Sequence, residues 1–159
     1  MEEDRIIIDA LPMMFWYKDT QNRYLRVNRA AARLEGLPVT AIEGKTAEEL
    51  YSPEQAEILF KDDQEVIQSG RPRLGIIERH ETPLGEVIWL ETGKVPTRDP
   101  DGRVNGVVAF AIDITVQRRM REFLGDSLNQ LTEAARRGVS REEMLIYLKE
   151  INRRADELG

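Results

Sequence analysis

Cysteine is absent from the 159-residue chain. That excludes disulfides, Cys-ligated zinc, iron–sulfur clusters, thiolate nucleophiles and CxxCH haem attachment. Histidine occurs once, at His80, and a single imidazole cannot build a multi-histidine metal site. No GxSxG elbow accompanies it, and neither GxGxxG nor GxxxxGK(S/T) occurs. The chain is therefore expected to be non-enzymatic, with no catalytic residue and no metal ligand assigned. Basic residues are outnumbered, 23 Lys+Arg against 29 Asp+Glu, for a net charge of −6 and a pI near 5.0. A broad nucleic-acid surface is not expected on that balance. No apolar run approaches the ~20 residues a membrane span needs. The N-terminal stretch MEEDRIIIDALPMM carries acids where a signal peptide carries positive charge, so a cytoplasmic location is expected, away from membranes.

What is present suits one domain with an extension: 41% of residues are apolar and 33% charged. Residues 2–11 place Ile6, Ile7, Ile8 and Leu11 on a short amphipathic helix stopped by Pro12. Residues 13–18 and 24–27 read as a hairpin of strands around the turn Asp19-Thr-Gln-Asn22. Asn28 has the residue type and position of a helix N-cap, and Gly36 ends that helix. Short helical turns fit residues 37–52. A longer helix fits 54–69, with Pro53 in its first turn and Gly70 as its stop. Three strands follow, near 73–81, 86–96 and 104–115. The last is apolar on both faces and must be covered on both.

From Val116 the period becomes helical through Met120, Phe123, Leu124, Leu128, Leu131 and Ala135. Ser140-Arg-Glu-Glu143 forms a capping box that starts a second helix. Met144, Leu148, Ile151, Ala155 and Leu158 repeat along it at 4-3-4-3 spacing. Residues 1–115 hold 14 basic and 21 acidic groups, and the remainder 9 and 8. The second tail helix carries Glu142, Glu143 and Glu150, which opposes a DNA-reading role for it.

The predicted architecture is α+β: a five-stranded antiparallel sheet with helices on one face and a C-terminal helical extension. The expected organisation is an N-terminal amphipathic helix (1–12), a central α+β domain (13–115) and a C-terminal extension of two helices (116–159). Four stretches resemble the PAS sensory family. They are Leu11-Pro12 with Trp16-Tyr-Lys-Asp19; Arg23-Tyr-Leu-Arg-Val-Asn28 with Ala30 and Gly36; Val87-Ile-Trp-Leu with Pro96 and Asp101-Gly102; and Gly106 through Asp113-Ile-Thr115. The resemblance covers about residues 5–120.

That resemblance implies a signal-transduction module that senses a small ligand or partner and relays its state through a C-terminal helix to an effector such as a histidine kinase, as in two-component systems. It also implies a homodimer. Two alternatives stay open: a ligand-free dimerisation or interaction module, and a transcription regulator using the tail. The ligand cavity is expected among Trp16, Phe60, Ile77, Trp89, Ala109 and Ala111. On the last strand Val107, Ala109 and Ala111 share one face, and Val108, Phe110 and Ile112 the other. The resemblance assigns signal transmission to Asp113, Ile114 and Thr115, with Thr115 also expected to cap the exit helix. The caps of the inner and last helices are Asn28 and Ser140. The dimer interface is expected at Ile7, Leu11, Phe110, Ile112, Met120 and Leu124. Neither haem nor covalently bound flavin is expected: residues 53–69 hold no His, His80 reads as a surface strand residue, and no Cys exists.

Overall fold

The computed structural model describes residues 2–157. Its elements are α1 (Glu2–Asp9), β1 (Met14–Asp19), β2 (Tyr24–Val27), α2 (Arg29–Glu35), α3 (Val39–Ile42), α4 (Ala47–Leu50), α5 (Pro53–Ser69), β3 (Arg73–Glu81), β4 (Val87–Arg98), β5 (Val104–Asp113), α6 (Thr115–Arg136) and α7 (Arg141–Asp156). The chain divides into two compact units, residues 1–113 and 114–159.

In the first unit a five-stranded sheet runs in the order β2-β1-β5-β4-β3, every neighbouring pair antiparallel. The first strand thus pairs with the last at the sheet centre. Register places Trp16 opposite Ala109, and Ala109 opposite Lys94. Residues opposite one another share a face. A small residue therefore stands between two long ones, and a hollow follows from that row.

The helices α2 to α5 follow β2 in sequence, and their apolar residues cover the inner face. Tyr24, Val27, Ala31, Ala32, Ile42, Ala47 and Ala56 form one buried cluster. Asn28, fully buried, ties the layer together. Its Oδ1 accepts from the backbone N–H of Ala31 (2.9 Å) and Phe15 (3.1 Å). Its Nδ2 donates to the carbonyls of Met13 (2.8 Å) and Ile8 (3.0 Å). One side chain thus caps α2 and holds both α1 and β1. The longer helix α5 starts as its sequence directs: the Ser52 hydroxyl accepts from Gln55 N–H, Pro53 occupies the first turn, and Gly70 closes it in the left-handed region at φ 60°.

Helix α1 is pinned by polar contacts rather than by its apolar stripe. The Arg5 guanidinium donates to Val27 O and to both carboxylate oxygens of Glu43, each at 2.8 Å. Ile6 and Ile7 remain 65% and 63% exposed, while Ile8 and Leu11 are half-buried.

On the outer sheet face the Phe110 ring lies across Gly93, its partner in register. A Cβ on Gly93 would stand 2.4 Å from the ring's Cζ. Gly93→Ala is expected to push the ring aside and cost about 1–3 kcal/mol. The cost should shrink in a Phe110→Leu background, where urea unfolding of both singles and the double mutant measures the coupling. Additive losses would mean the ring does not rest on Gly93.

In the second unit α6 has two faces of different character. Phe123, Ser127 and Ala134 are buried, and the Arg154 guanidinium of α7 lies 5.4 Å from the Phe123 ring centroid. Val116, Met120, Leu124 and Leu128 are 64%, 38%, 53% and 64% exposed. The seam expected on α7 shifts: Met144, Tyr147, Ile151 and Ala155 are half-buried, whereas Leu148 is 41% exposed. Tyr147 takes the inward place expected for Leu148. Leu158 lies outside the described residues.

Ser140 forms its capping box with Glu143. Thr115 departs from expectation. It is the first residue of α6 and is buried; Ile114 is the N-cap and contributes no side-chain cap bond.

Candidate functional site

A cavity of about 160 Å³ opens between the inner sheet face and the helices of the first unit. Trp16, Ala109 and Ala111, expected there, do line it. Phe60, Ile77 and Trp89, also expected there, do not. On α5 the lining comes from Gln55, Ile58, Leu59 and Asp62, so Phe60 lies off that face. Strand parity decides the other two. Leu90, Thr92 and Lys94 of β4 and Glu78 and His80 of β3 face inward, which sends the odd-numbered Trp89 and Ile77 to the opposite face. Ile77 is 46% exposed. His80, expected at the surface, is half-buried in the cavity wall.

The inner end of the cavity holds a charged cluster that sequence reasoning missed. Asp63 of α5 is 1% exposed and stands between two buried lysines. Lys18 Nζ donates to its Oδ2 at 2.7 Å. Lys94 Nζ approaches its Oδ1 at 2.7 Å and Asp62 Oδ2 at 3.9 Å. The Lys94 contact is an ion pair without an aligned hydrogen bond: Oδ1 accepts none among the described residues. Lys18 also lies over the Tyr24 ring, 4.6 Å from its centroid. Burial lowers the Lys18 ammonium from its ordinary range, and the neighbouring Asp63 opposes that fall. Two ammoniums thus share one fully buried carboxylate, while Asp62 is also engaged by Arg73 at 3.0 Å.

The cavity wall has a second polar group. The Tyr51 and Tyr24 phenols and the Glu35 carboxyl meet in that wall. Burial raises both phenols above their ordinary range. Burial also raises the Glu35 carboxyl above its usual 4.5, against the pull of Tyr51, His80 and Lys18. A carboxyl raised by folding favours the protonated state in the fold. Its contribution is complete below the unfolded value and is lost as pH rises through the folded value. Glu35→Gln is therefore expected to flatten the decline in Tm as pH rises above 4.5. Thermal melts from acid to neutral pH read this, and an unchanged slope would place the carboxylate in contact with water.

Among the described residues no group of His, Asp and Glu is arranged to hold a metal ion, and no helix is long and apolar enough to cross a membrane.

A central β5 paired to both β1 and β4, helices packed over one face and a cavity beneath them define a PAS architecture. The model of the family described as "PAS fold" matches residues 8–119, and the chain belongs to that family. It is homologous to PAS domains of sensor histidine kinases. It is 34% identical over 111 residues to the methanogenesis regulatory histidine kinase FilI of Methanothrix harundinacea, a match covering 70% of this chain and 12% of that protein. The chain thus spans about an eighth of that relative's length. Among solved structures, the PAS domain of Bordetella pertussis BvgS superposes with a TM-score of 0.62 at 25% identity, covering 81% of this chain and 96% of that one. Vibrio cholerae VqmA, described as a dimer, gives 0.63 at 27% identity, over 72% and 52% of the two chains. A VqmA structure bound to DPO gives 0.63 at 25% identity, over 74% and 61%.

Proposed function

We propose that this chain is a non-enzymatic sensor that takes a small molecule into the inner cavity and relays its bound state through α6 to an effector such as a histidine kinase. The carrying observation is the cavity itself. Ala109 and Ala111 floor it, and the surrounding side chains leave about 160 Å³ open. A ligand-free interaction module would fill that space with its own residues. A comparable apolar cavity of roughly 150 Å³ accepts benzene, so the ligand is a single ring or a chain of similar bulk. VqmA, similar in fold and described with DPO bound, supports a small-molecule occupant. The backbone runs from β5 through Asp113, Ile114 and Thr115 into α6, which gives the relay a covalent path.

A library of single-ring compounds, read by thermal shift, tests the proposal. A ligand at a hundred times its Kd adds about 2.7 kcal/mol of stability. The expected result is stabilisation by at least one compound, abolished by Ala109→Leu. Absence of any stabilising compound would favour the interaction module.

The apolar surfaces support a homodimer, including the exposed α6 row. In the first unit Ile7 is 63% and Ile112 38% exposed, and Leu11 and Phe110 are half-buried. Leu124→Glu is expected to convert a dimer into monomers, because it places an unpaired charge in an apolar contact. Light scattering measures this, and a wild-type mass near the 18.3 kDa of one chain would remove the dimer.

A further inference from the structure

We propose that the cavity selects small organic anions, a ring or short chain bearing one carboxylate or an ionised hydroxyl, with the anionic group received by Lys94. The inference rests on the ligand-sensing reading and gives its ligand a charge. Three observations carry it.

The first is the charge balance. Lys18 and Lys94 have side chains 4% and 9% exposed, yet the fully buried Asp63 is their shared counter-ion. Buried cations need paired anions or hydrogen-bond acceptors. Asp62 lies 3.9 Å from Lys94 and shares its carboxylate with Arg73, so it balances the excess in part; of the other two carboxylates lining the cavity, Glu78 is exposed and burial holds Glu35 toward its neutral form.

The second is the geometry at Lys94. Its ammonium has three N–H donors. Among the described residues none makes an aligned hydrogen bond, although Asp63 is within ion-pair distance. Lys94 belongs to the cavity lining. Lys18 has spent one of its three donors and is held over the Tyr24 ring, whereas Lys94 has spent none, so Lys94 is the better placed of the two to receive an incoming acceptor.

The third is the adjoining apolar floor. Lys94 lies opposite Ala109 in register, and Ala109 lies opposite Trp16. A ring resting on Ala109 has an aromatic wall on one side and an ammonium on the other. An amine would meet the same ammonium as a like charge. A neutral amide would gain a weaker bond than a carboxylate, because hydrogen bonds between ionised partners are the stronger kind.

The test uses the full chain and three probes of one shape: benzoate, benzamide and benzylamine. Ligand-observed NMR ranks them against wild type, Lys94→Met and Ala109→Leu. Lys94→Met removes the excess cation and leaves Lys18 with Asp63 as a balanced pair, so it is expected to fold. Circular dichroism checks this, and Lys94→Gln serves if it does not. The expected result is benzoate preferred over benzamide by about tenfold or more, no benzylamine binding, and loss of that preference in the Lys94 variant. Ala109→Leu should block every probe whatever its charge. Equal affinity for benzoate and benzamide, or a benzoate preference that survives loss of Lys94, would overturn the anion selectivity and leave the sensor reading standing. Failure of all three probes would overturn the anion site. If the neutral single-ring library also fails, the sensor reading falls with it.

Discussion

Asp63→Ala is expected to be the most damaging single substitution in the domain, costing about 3–5 kcal/mol. It strips two buried ammoniums of their shared carboxylate. Asp63→Asn sharpens the test because it keeps shape and volume and deletes only the charge. It should fall nearly as far. Adding Lys94→Met to Asp63→Asn should recover part of the loss, because one uncompensated cation is then gone. A triple change of Lys18→Met, Asp63→Leu and Lys94→Met should melt close to wild type, since apolar replacements of buried ion networks are often neutral or stabilising. Urea unfolding of the four variants gives the ledger. A wild-type midpoint for Asp63→Asn would show that solvent already reaches both lysines.

Asn28→Ala is the second large loss, again about 3–5 kcal/mol. The cost is the sum of a lost helix cap and of four backbone groups deprived of one partner. The donors are the N–H groups of Phe15 and Ala31, and the acceptors are the carbonyls of Ile8 and Met13. Asn28→Asp separates these contributions. It retains the acceptor for both N–H groups but turns a carboxylate oxygen toward two carbonyls. Asp should be nearly as destabilising as Ala at neutral pH, and part of its loss should return in acid, where the protonated form supplies one donor. Hydrogen exchange across residues 8–15 should accelerate in both variants. Unchanged protection there would mean that α1 is held by Arg5 and by Asp9, whose Oδ1 accepts from the Arg29 backbone N–H at 2.8 Å, alone.

The strands and long helices were legible because their local signals agree. Pro53, Gly70 and the Ser140–Glu143 box mark helix ends, and Asp-Gly and Pro-Leu-Gly turns separate β3, β4 and β5. Two of the four stretches that carry the family resemblance end at Asn28 with its helix and at the exit from β5, where the structure places a cap and a strand-to-helix junction. The site was only half legible. Trp89 and Ile77 were selected for bulk and apolarity, but the alternation along a strand outranks side-chain character. The same alternation held the missed signal. Lys18 follows Met14 and Trp16 at even positions, and Lys94 follows Leu90 and Thr92. Asp63 follows Ala56 by seven residues and precedes Val66 by three, which puts it on the buried face of α5. A charge at an inward position usually reads as an error of phase. Here three such charges, far apart in sequence, meet in one cluster around Asp63, and only the folded chain brings them together. The exit helix illustrates a different limit: its apolar residues share one period, but the periodicity does not say that Phe123 turns inward and Leu124 outward.

The pairing of β1 with β5 also sets a timetable. Residues 14–19 leave the ribosome well before their central partner, residues 106–111, which lies 87 to 97 positions further along the chain. Until then β1 can pair only with β2, and its other edge stays open, carrying Phe15, Trp16 and Tyr17. Such an edge invites pairing with other nascent chains, and contacts this distant in sequence form slowly. Holding by chaperones should therefore persist until β5 emerges, and cotranslational proteolysis should show protection of the amino-terminal strands appearing late and together with the sheet centre, rather than in order of synthesis.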